Sequence, residues 1–325
     1  MRNCNIDLLK ILSCVAVIGL HVFTYDYNNY FIDILHYMCG FAVPMFYMIN
    51  GYLILNKEQI TYKYCMHKIL KIIKLDLEWN ILLLVANLLI KHEIVNLPLN
   101  MVKDFLQLGF FWQFWFLGGL ILIYLMLPLI HKIIRTDIKK MLLICALLGV
   151  ICLLWVLLSF LGKKNLEQNI IQTFDIWTYL FYFMLGGVLH YFEKKQKYLL
   201  PIKMHIALLL ILWVGFSLYQ TFIGRNFINY GAYYNDLFAF FSNIFIFTGI
   251  TKIRLSEKKQ ERIKKLSVLG LGCYIIHPIL QRIINHIFVS VKIIYVPIYF
   301  ILLVISSFLV TKLIRKMHLN FLVEL

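Results

Sequence analysis

Charge is scarce in this chain: 15% of its residues are Asp, Glu, Lys or Arg, against 62% that are hydrophobic, and the mean hydropathy is +0.80. A soluble protein of 325 residues could not hide that much apolar surface in one or two cores, so a soluble globular domain is excluded. The seven cysteines form no C-x-x-C pair and lie mostly within or beside apolar runs, which implies neither a metal site nor a disulfide framework. No small-x-small cleavage site follows the first apolar stretch. Tyr25-Asp-Tyr-Asn-Asn-Tyr30 stands there instead, so the stretch is read as a retained first helix rather than a signal peptide. There is no linker, low-complexity tract or internal repeat, and the longest outer loop, about 92–113, is too short to be a domain. Residues 1–325 are therefore expected to form a single transmembrane domain with no fused extracytoplasmic domain.

What the chain does have is a succession of apolar runs of the length that crosses a bilayer. They fall at about 8–25, 31–55, 75–91, 114–131, 141–161, 175–192, 201–222, 234–250, 267–288 and 294–314. The expected fold is all-α: a polytopic membrane bundle of about ten helices. With the N-terminus placed in the cytoplasm, 25 of the 32 Lys and Arg residues fall on inner segments and 7 on outer ones, and the alternation holds across every loop. Both termini are thus expected inside, in a multi-pass protein of the cell membrane. The net charge of +16 is a topology signal spread over six inner segments, which argues against a nucleic-acid partner.

Two residues of the first apolar helix are out of place in lipid. Lys10 and His21 are separated by eleven positions, about three turns, so they share a stripe and stand ~16 Å apart along the axis. A cation near one membrane face and an imidazole deep on the same stripe are costly unless they serve a function. An imidazole can take a proton from a hydroxyl near neutral pH. It can equally bond a neighbouring helix in a purely structural role. His277, in Cys273-Tyr-Ile-Ile-His-Pro278, is the second candidate. Pro278 frees a carbonyl on the preceding turn, so His277 either satisfies that backbone or lines a cavity. The remaining histidines considered, His36, His67, His92, His131, His190, His205 and His318, lie near span ends and read as interfacial or packing residues. Aromatic residues at outer ends, among them Tyr25, Tyr27, Tyr30, Trp112, Trp177, Tyr230, Tyr233 and Tyr234, fit an interfacial belt. Asp26, Asp33, Asp175 and Asp236 are the outer carboxylates that could orient an imidazole.

Five runs, in order, resemble the acyltransferase 3 family of membrane acyltransferases. Asp7-Leu-Leu-Lys10 with His21 is similar to the family's first helix, and Val43-Pro-Met-Phe-Tyr-Met-Ile-Asn-Gly-Tyr52 to its second apolar motif. Lys68-Ile-Leu-Lys71, eight residues before Trp79, resembles the paired-basic motif. Phe114-Trp-Phe-Leu117 with Tyr124 and Pro128 resembles the tryptophan helix, and Cys273-Tyr-Ile-Ile-His277 the late histidine run. The chain departs from the pattern in three ways. Asn50 stands where serine is usual, lysines replace arginines at 10, 68 and 71, and Lys74-Leu75-Asp76 replaces a usual proline.

The resemblance implies ten helices and transfer of an acyl group, most simply acetyl, from cytoplasmic acyl-CoA to a hydroxyl of a cell-surface or lipid-linked carbohydrate. It implies His21 as the catalytic residue and Lys10, Lys68 and Lys71 as the charges that meet CoA phosphates. Asn50, Tyr52, Trp115 and His277 are implied as pocket or acceptor residues. Acyl-CoA is expected as a co-substrate, with no permanently bound cofactor and no metal. The expected partners are the lipid bilayer, the glycan and other glycan-synthesis proteins. An extended pantetheine arm of ~15–20 Å suits the Lys10–His21 spacing. The rival reading is an exporter or flippase of a lipid-linked glycan, which inverted repeats would favour; none is present. A non-catalytic subunit is a third reading, and the intact Lys10 and His21 argue against it.

Overall fold

A computed structural model describes residues 3–23, 29–134, 137–194, 201–226, 234–287 and 295–325. Tyr25, Asp26, Tyr27, Tyr230 and Tyr233 lie outside the described residues, so neither the aromatic belt nor the orienting-carboxylate reading is followed there. The regular structure among the described residues is all helical, with no strand among them.

The first three helices follow from their caps and one proline. α1, Cys4–Val22, begins at Asn3, whose side chain accepts from the backbone N–H groups of Asn5 and Ile6. α2, Tyr30–Met38, is capped in the same way by Asn29, and α3 runs Ala42–Ile54. The single helix expected over 31–55 is thus broken at residues 39–41. Pro44 explains the break, since it has no N–H for the carbonyl of Gly40 and its ring would clash with it.

α4, Tyr62–Lys91, starts well before the expected residue 75. Thr61 caps it by accepting from Tyr64 N–H, and the following stretch of Lys, Ile and Leu contains no breaker. Lys68 and Lys71 therefore lie on a helix, not in a loop. The expected loop at 92–113 is also structured. It holds α5, Leu97–Phe105, and a 3₁₀ turn, Trp112–Phe114, leading into α6, Trp115–Ile134. Buried Asp104 ties this strap down. One carboxylate oxygen accepts Phe111 N–H at 2.8 Å and the other accepts Asn80 Nδ2 at 2.8 Å, while Asn80 also bonds Asp76 at 2.9 Å.

The remaining helices are α7, Ile138–Leu161; α8, Ile176–Lys194; α9, Ile202–Asn226; α10, Leu237–Thr251; α11, Glu257–Ser267; α12, Gly270–Ile287; and α13, Val296–Lys316. α3 and α8 form the centre. A Cβ on Gly51 would meet Phe183 O at 1.7 Å, and one on Gly186 would meet Met48 O at 1.9 Å, so only glycine permits this backbone contact. α7 and α13 lie outside and present leucine and isoleucine outward, such as Leu143, Leu147, Leu154, Ile301, Ile305 and Leu309. Water would disfavour such faces and lipid accommodates them.

Among the described residues six helical stretches are long and apolar enough to cross a membrane: Cys4–Val22, Tyr30–Ile54, Trp112–Ile134, Ile138–Leu161, Met204–Asn226 and Val296–Lys316. The polar α11 and α12 meet at a 52° bend and make a seventh if taken as one span. The other expected spans fall short for visible reasons. α4 carries Asp76, Glu78 and several lysines, α8 carries three tyrosines, His190, Glu193 and Lys194, and α10 has 15 residues.

Candidate active site

The amino-terminal half of α1 opens on a cavity of about 450 Å³. Lys10, Asn50, Lys57, Tyr64, Lys68 and Tyr124 give it its polar groups, and Ile49, Leu53, Leu117 and Leu120 much of its apolar wall. Lys10 lies 3.6 Å from Asp7, one turn back. Lys57 Nζ donates to the Tyr64 hydroxyl at 3.0 Å and sits 4.4 Å from the centre of that ring. Asn50 donates to Phe46 O at 2.9 Å, and its Oδ1 accepts the Tyr124 hydroxyl at 3.5 Å. Lys10 and Lys68, distant in sequence, are thus brought together. Lys71, on the same helix as Lys68, does not line the cavity. Its place is taken by Lys57, which sequence reasoning counted only as an inner-face charge.

At the other end of α1, His21 lines a second cavity of about 240 Å³ with His36, Trp112, Gln113, Trp115, Gln172 and Tyr234. Trp112 meets the His21 ring edge-on at 4.8 Å, and His277 stacks against it at 5.2 Å with 19° between the planes. No hydrogen bond from a described residue reaches either ring nitrogen of His21; its backbone carbonyl accepts Gln281 Nε2 at 2.9 Å. His277 is fully buried and bonds Cys273 O through Nδ1 at 3.1 Å. This is the turn whose next carbonyl, that of Tyr274, loses its N–H partner to Pro278. His277 Nε2 has no partner among the described residues. His277 lines neither cavity; it lies behind the His21 ring and bonds the backbone of its own helix.

Three aromatic residues, Phe46, Phe116 and Tyr274, line both cavities and form the partition between them. Phe116 lies 5.7 Å from Phe46 and 6.0 Å from Tyr274, ring centre to ring centre. The partition is anchored, with the Tyr274 hydroxyl donating to Gln113 O and the Tyr47 hydroxyl to Phe116 O at 3.2 Å.

Other expectations land elsewhere. Tyr52 is outside both cavities, with its hydroxyl on Glu193 at 2.7 Å and its ring against His190 at 4.5 Å. Asp33 is paired with Arg225 at 2.5 Å, Asp175 with the Thr178 hydroxyl at 2.6 Å, and Asp236 caps α10 through Ala239 N–H at 2.7 Å. None of these three carboxylates hydrogen-bonds His21, and the imidazole is oriented by ring packing instead. His36, treated as a span-end residue, lines the His21 cavity with Nδ1 on Phe23 O at 2.6 Å. Gln113 was also missed, although it immediately precedes the tryptophan motif.

Nothing among curated proteins or solved structures matches the chain. A family model described as an acyltransferase domain, that of the acyltransferase 3 family, matches residues 4–312. That span holds every lining residue of both cavities except Leu325, and the chain belongs to this family of acyltransferases.

Proposed function

We propose that this membrane acyltransferase moves an acyl group, most simply acetyl, from cytoplasmic acyl-CoA to a hydroxyl of a cell-surface or lipid-linked carbohydrate. The observation that carries the reading is the pair of cavities at the two ends of α1, one with three lysines and one with His21, parted by three aromatic side chains. In the first cavity Lys10, Lys57 and Lys68 supply positive charge for the CoA phosphates. The pantetheine arm, ~15–20 Å when extended, reaches past Phe46, Phe116 and Tyr274 toward His21. His21 then takes the proton of the acceptor hydroxyl, whose oxygen attacks the thioester carbonyl. The tetrahedral intermediate collapses with cleavage of the C–S bond, and the departing CoA thiolate recovers the proton from the imidazolium.

The packed aromatic partition and the family membership both favour transfer over export of a bulky glycan. The reading includes ten spans, namely α1, the α2–α3 pair, α4, α6 to α10, α12 and α13, in the plasma membrane with both termini inside. Its support is the distribution of 25 inner against 7 outer basic residues. Glycan-synthesis proteins are its natural neighbours, as suppliers of the acceptor.

Mass spectrometry of surface glycans from cells with and without the gene tests the activity, and a loss of one acyl mass per acceptor is expected without it. Unchanged glycans would sink the reading. Cysteine-accessibility labelling tests the topology, with residues 258–265 expected inside and 163–169 outside.

A further inference from the structure

The three residues that part the two cavities, Phe46, Phe116 and Tyr274, are not equivalent. Two of them are fixed. The Tyr274 hydroxyl donates to Gln113 O. The Phe116 carbonyl accepts the Tyr47 hydroxyl, and its ring packs 4.8 Å from the Tyr47 ring. Phe116 is 9% exposed and Tyr274 7%. Phe46 is the more exposed member, and its side chain borders open space on both sides, about 450 Å³ toward the lysines and about 240 Å³ toward His21. Its backbone does not share that freedom. α3 is clamped to α8 two positions on, where only glycine at 186 lets the helices pass at Met48 O. The backbone of α3 thus fixes where the Phe46 side chain starts, and the size of that side chain fixes how much space is left beside it.

A second observation concerns the wall beyond Phe46. Val17, Leu20 and Val43 line the His21 cavity and carry no polar side-chain atom. Val17 stands about one turn of α1 before His21, and Val43 about one turn of α3 before Phe46, so each pair shares a face of its helix. Together they make an apolar strip between His21 and Phe46. Apart from Phe116, the rest of this wall carries histidine, glutamine, tryptophan and tyrosine. An acyl group is part carbonyl and part hydrocarbon. With its carbonyl at His21, its chain belongs on the strip, where apolar surface leaves water without stranding a polar group. The strip ends at Phe46.

We propose that Phe46 gauges the acyl chain, its ring closing the inner end of a pocket formed by Val17, Leu20 and Val43 that takes a short hydrocarbon chain and turns away a longer one. The assignment rests on the acyl-transfer reading and adds to it the residue that selects the acyl group. A pocket with a closed end discriminates by size, since each methylene too many must displace packed atoms. Of the three partition residues, Phe46 can be made smaller without removing a hydrogen bond from the partition, whereas Tyr274 would lose its bond to Gln113 O.

The test uses inside-out membrane vesicles from cells that make the protein, which carry the native acceptor. They are given equal concentrations of acetyl-CoA and butyryl-CoA, and mass spectrometry of the glycan reads the two acyl masses. Phe46→Ala is expected to raise the butyryl-to-acetyl ratio at least ~10-fold, the low end of what one methylene group decides in a hydrophobic pocket. Leu53→Ala enlarges the Lys10 cavity without touching the His21 cavity, and should leave the ratio within ~2-fold of wild type. A ratio for well-expressed Phe46→Ala within ~2-fold of wild type would overturn the assignment, as would an equal rise from Leu53→Ala. Should Phe46→Ala fail to accumulate, Phe46→Val carries the same test, and the absence of any rise there overturns the assignment too. Wild-type vesicles that place neither acyl mass on the glycan are the distinct result that refutes acyl transfer to a carbohydrate, and the gauge with it.

Discussion

His21 on α1 and His277 on α12 lie face to face, with ring centres 5.2 Å apart and planes 19° from parallel. His277 is anchored through Nδ1 to Cys273 O at 3.1 Å, so its flat face is a fixed wall for the His21 imidazole. Trp112 supplies a second wall at 4.8 Å, at right angles to the first. The two rings do for His21 what a carboxylate does for many catalytic histidines, setting its plane, but without a charge.

This arrangement separates the roles of the two histidines. His21→Ala is expected to lower glycan acylation at least ~100-fold in a well-inserted protein, the range lost with a general acid–base group. His277→Ala should lower kcat ~10-fold through a misplaced His21, with KM for acyl-CoA unchanged, and His277→Phe should restore most of it by keeping the stacked face. Equal, severe losses for His277→Ala and His277→Phe would make His277 a chemical participant and not a positioning residue.

The cavity lining divides two lysines of one motif. Lys68→Gln is expected to weaken acetyl-CoA binding ~10-fold in isothermal titration, as loss of a charge-assisted contact does. Lys71→Gln should change it by less than ~2-fold, since Lys71 does not line the cavity. Lys10→Gln should follow Lys68→Gln, and Lys10→Arg should retain or improve affinity through the guanidinium fork. Equal effects at 68 and 71 would mean that only the overall positive charge of α4 matters.

The α3–α8 contact is expected to be intolerant of a single methyl group. Gly51→Ala places its Cβ 1.7 Å from Phe183 O, against backbone that can yield only by parting the helices. A destabilisation of about 3 kcal/mol, at the upper end for overpacking, should appear as a lower thermal midpoint in detergent. Gly215→Ala is the control, because nothing lies within 4 Å of its built Cβ. An unchanged midpoint for Gly51→Ala would show that the two helices do not touch.

Stability should depend on pH through Glu167, which lies in the segment between α7 and α8. Burial lifts its carboxyl from 4.5 to about 7, with the Asn235 hydrogen bond opposing the shift. The folded chain therefore holds this proton more tightly than the unfolded chain. The resulting stabilisation is full below about pH 4.5 and is lost as pH rises through about 7. The thermal midpoint of the wild type should fall across that window, and Glu167→Gln should flatten the fall. Parallel curves for the two proteins would assign the dependence to other groups.

Much of this was legible in the sequence because it depends on local pattern. Apolar runs and scarce charge identify a helical membrane protein, and the Lys10–His21 stripe follows from helical periodicity alone. The spaced motifs reveal the family for the same reason, since they are short runs with short-range meaning. Helix boundaries were less legible. The start of α4 at Tyr62 and the break before Pro44 turn on a cap and a missing N–H that a hydropathy reading does not weigh.

The composition of the site was decided by tertiary structure. Periodicity says that Lys10 and His21 face one way, but not what they face. Lys57 lines the Lys10 cavity and Lys71 does not, although both read alike from sequence as inner-face lysines. His36 and Gln113 reach the His21 cavity only when α2 and the strap before α6 fold over α1, with Asp104 fixing that strap. Tyr52, in the middle of a motif, is turned away to Glu193. A helix fixes the direction of a side chain relative to its own axis. Which neighbour it meets is set by packing between elements far apart in the chain, so the sequence by itself determined the fold class, the family and the stripe, while the tertiary structure decided which residues share a cavity.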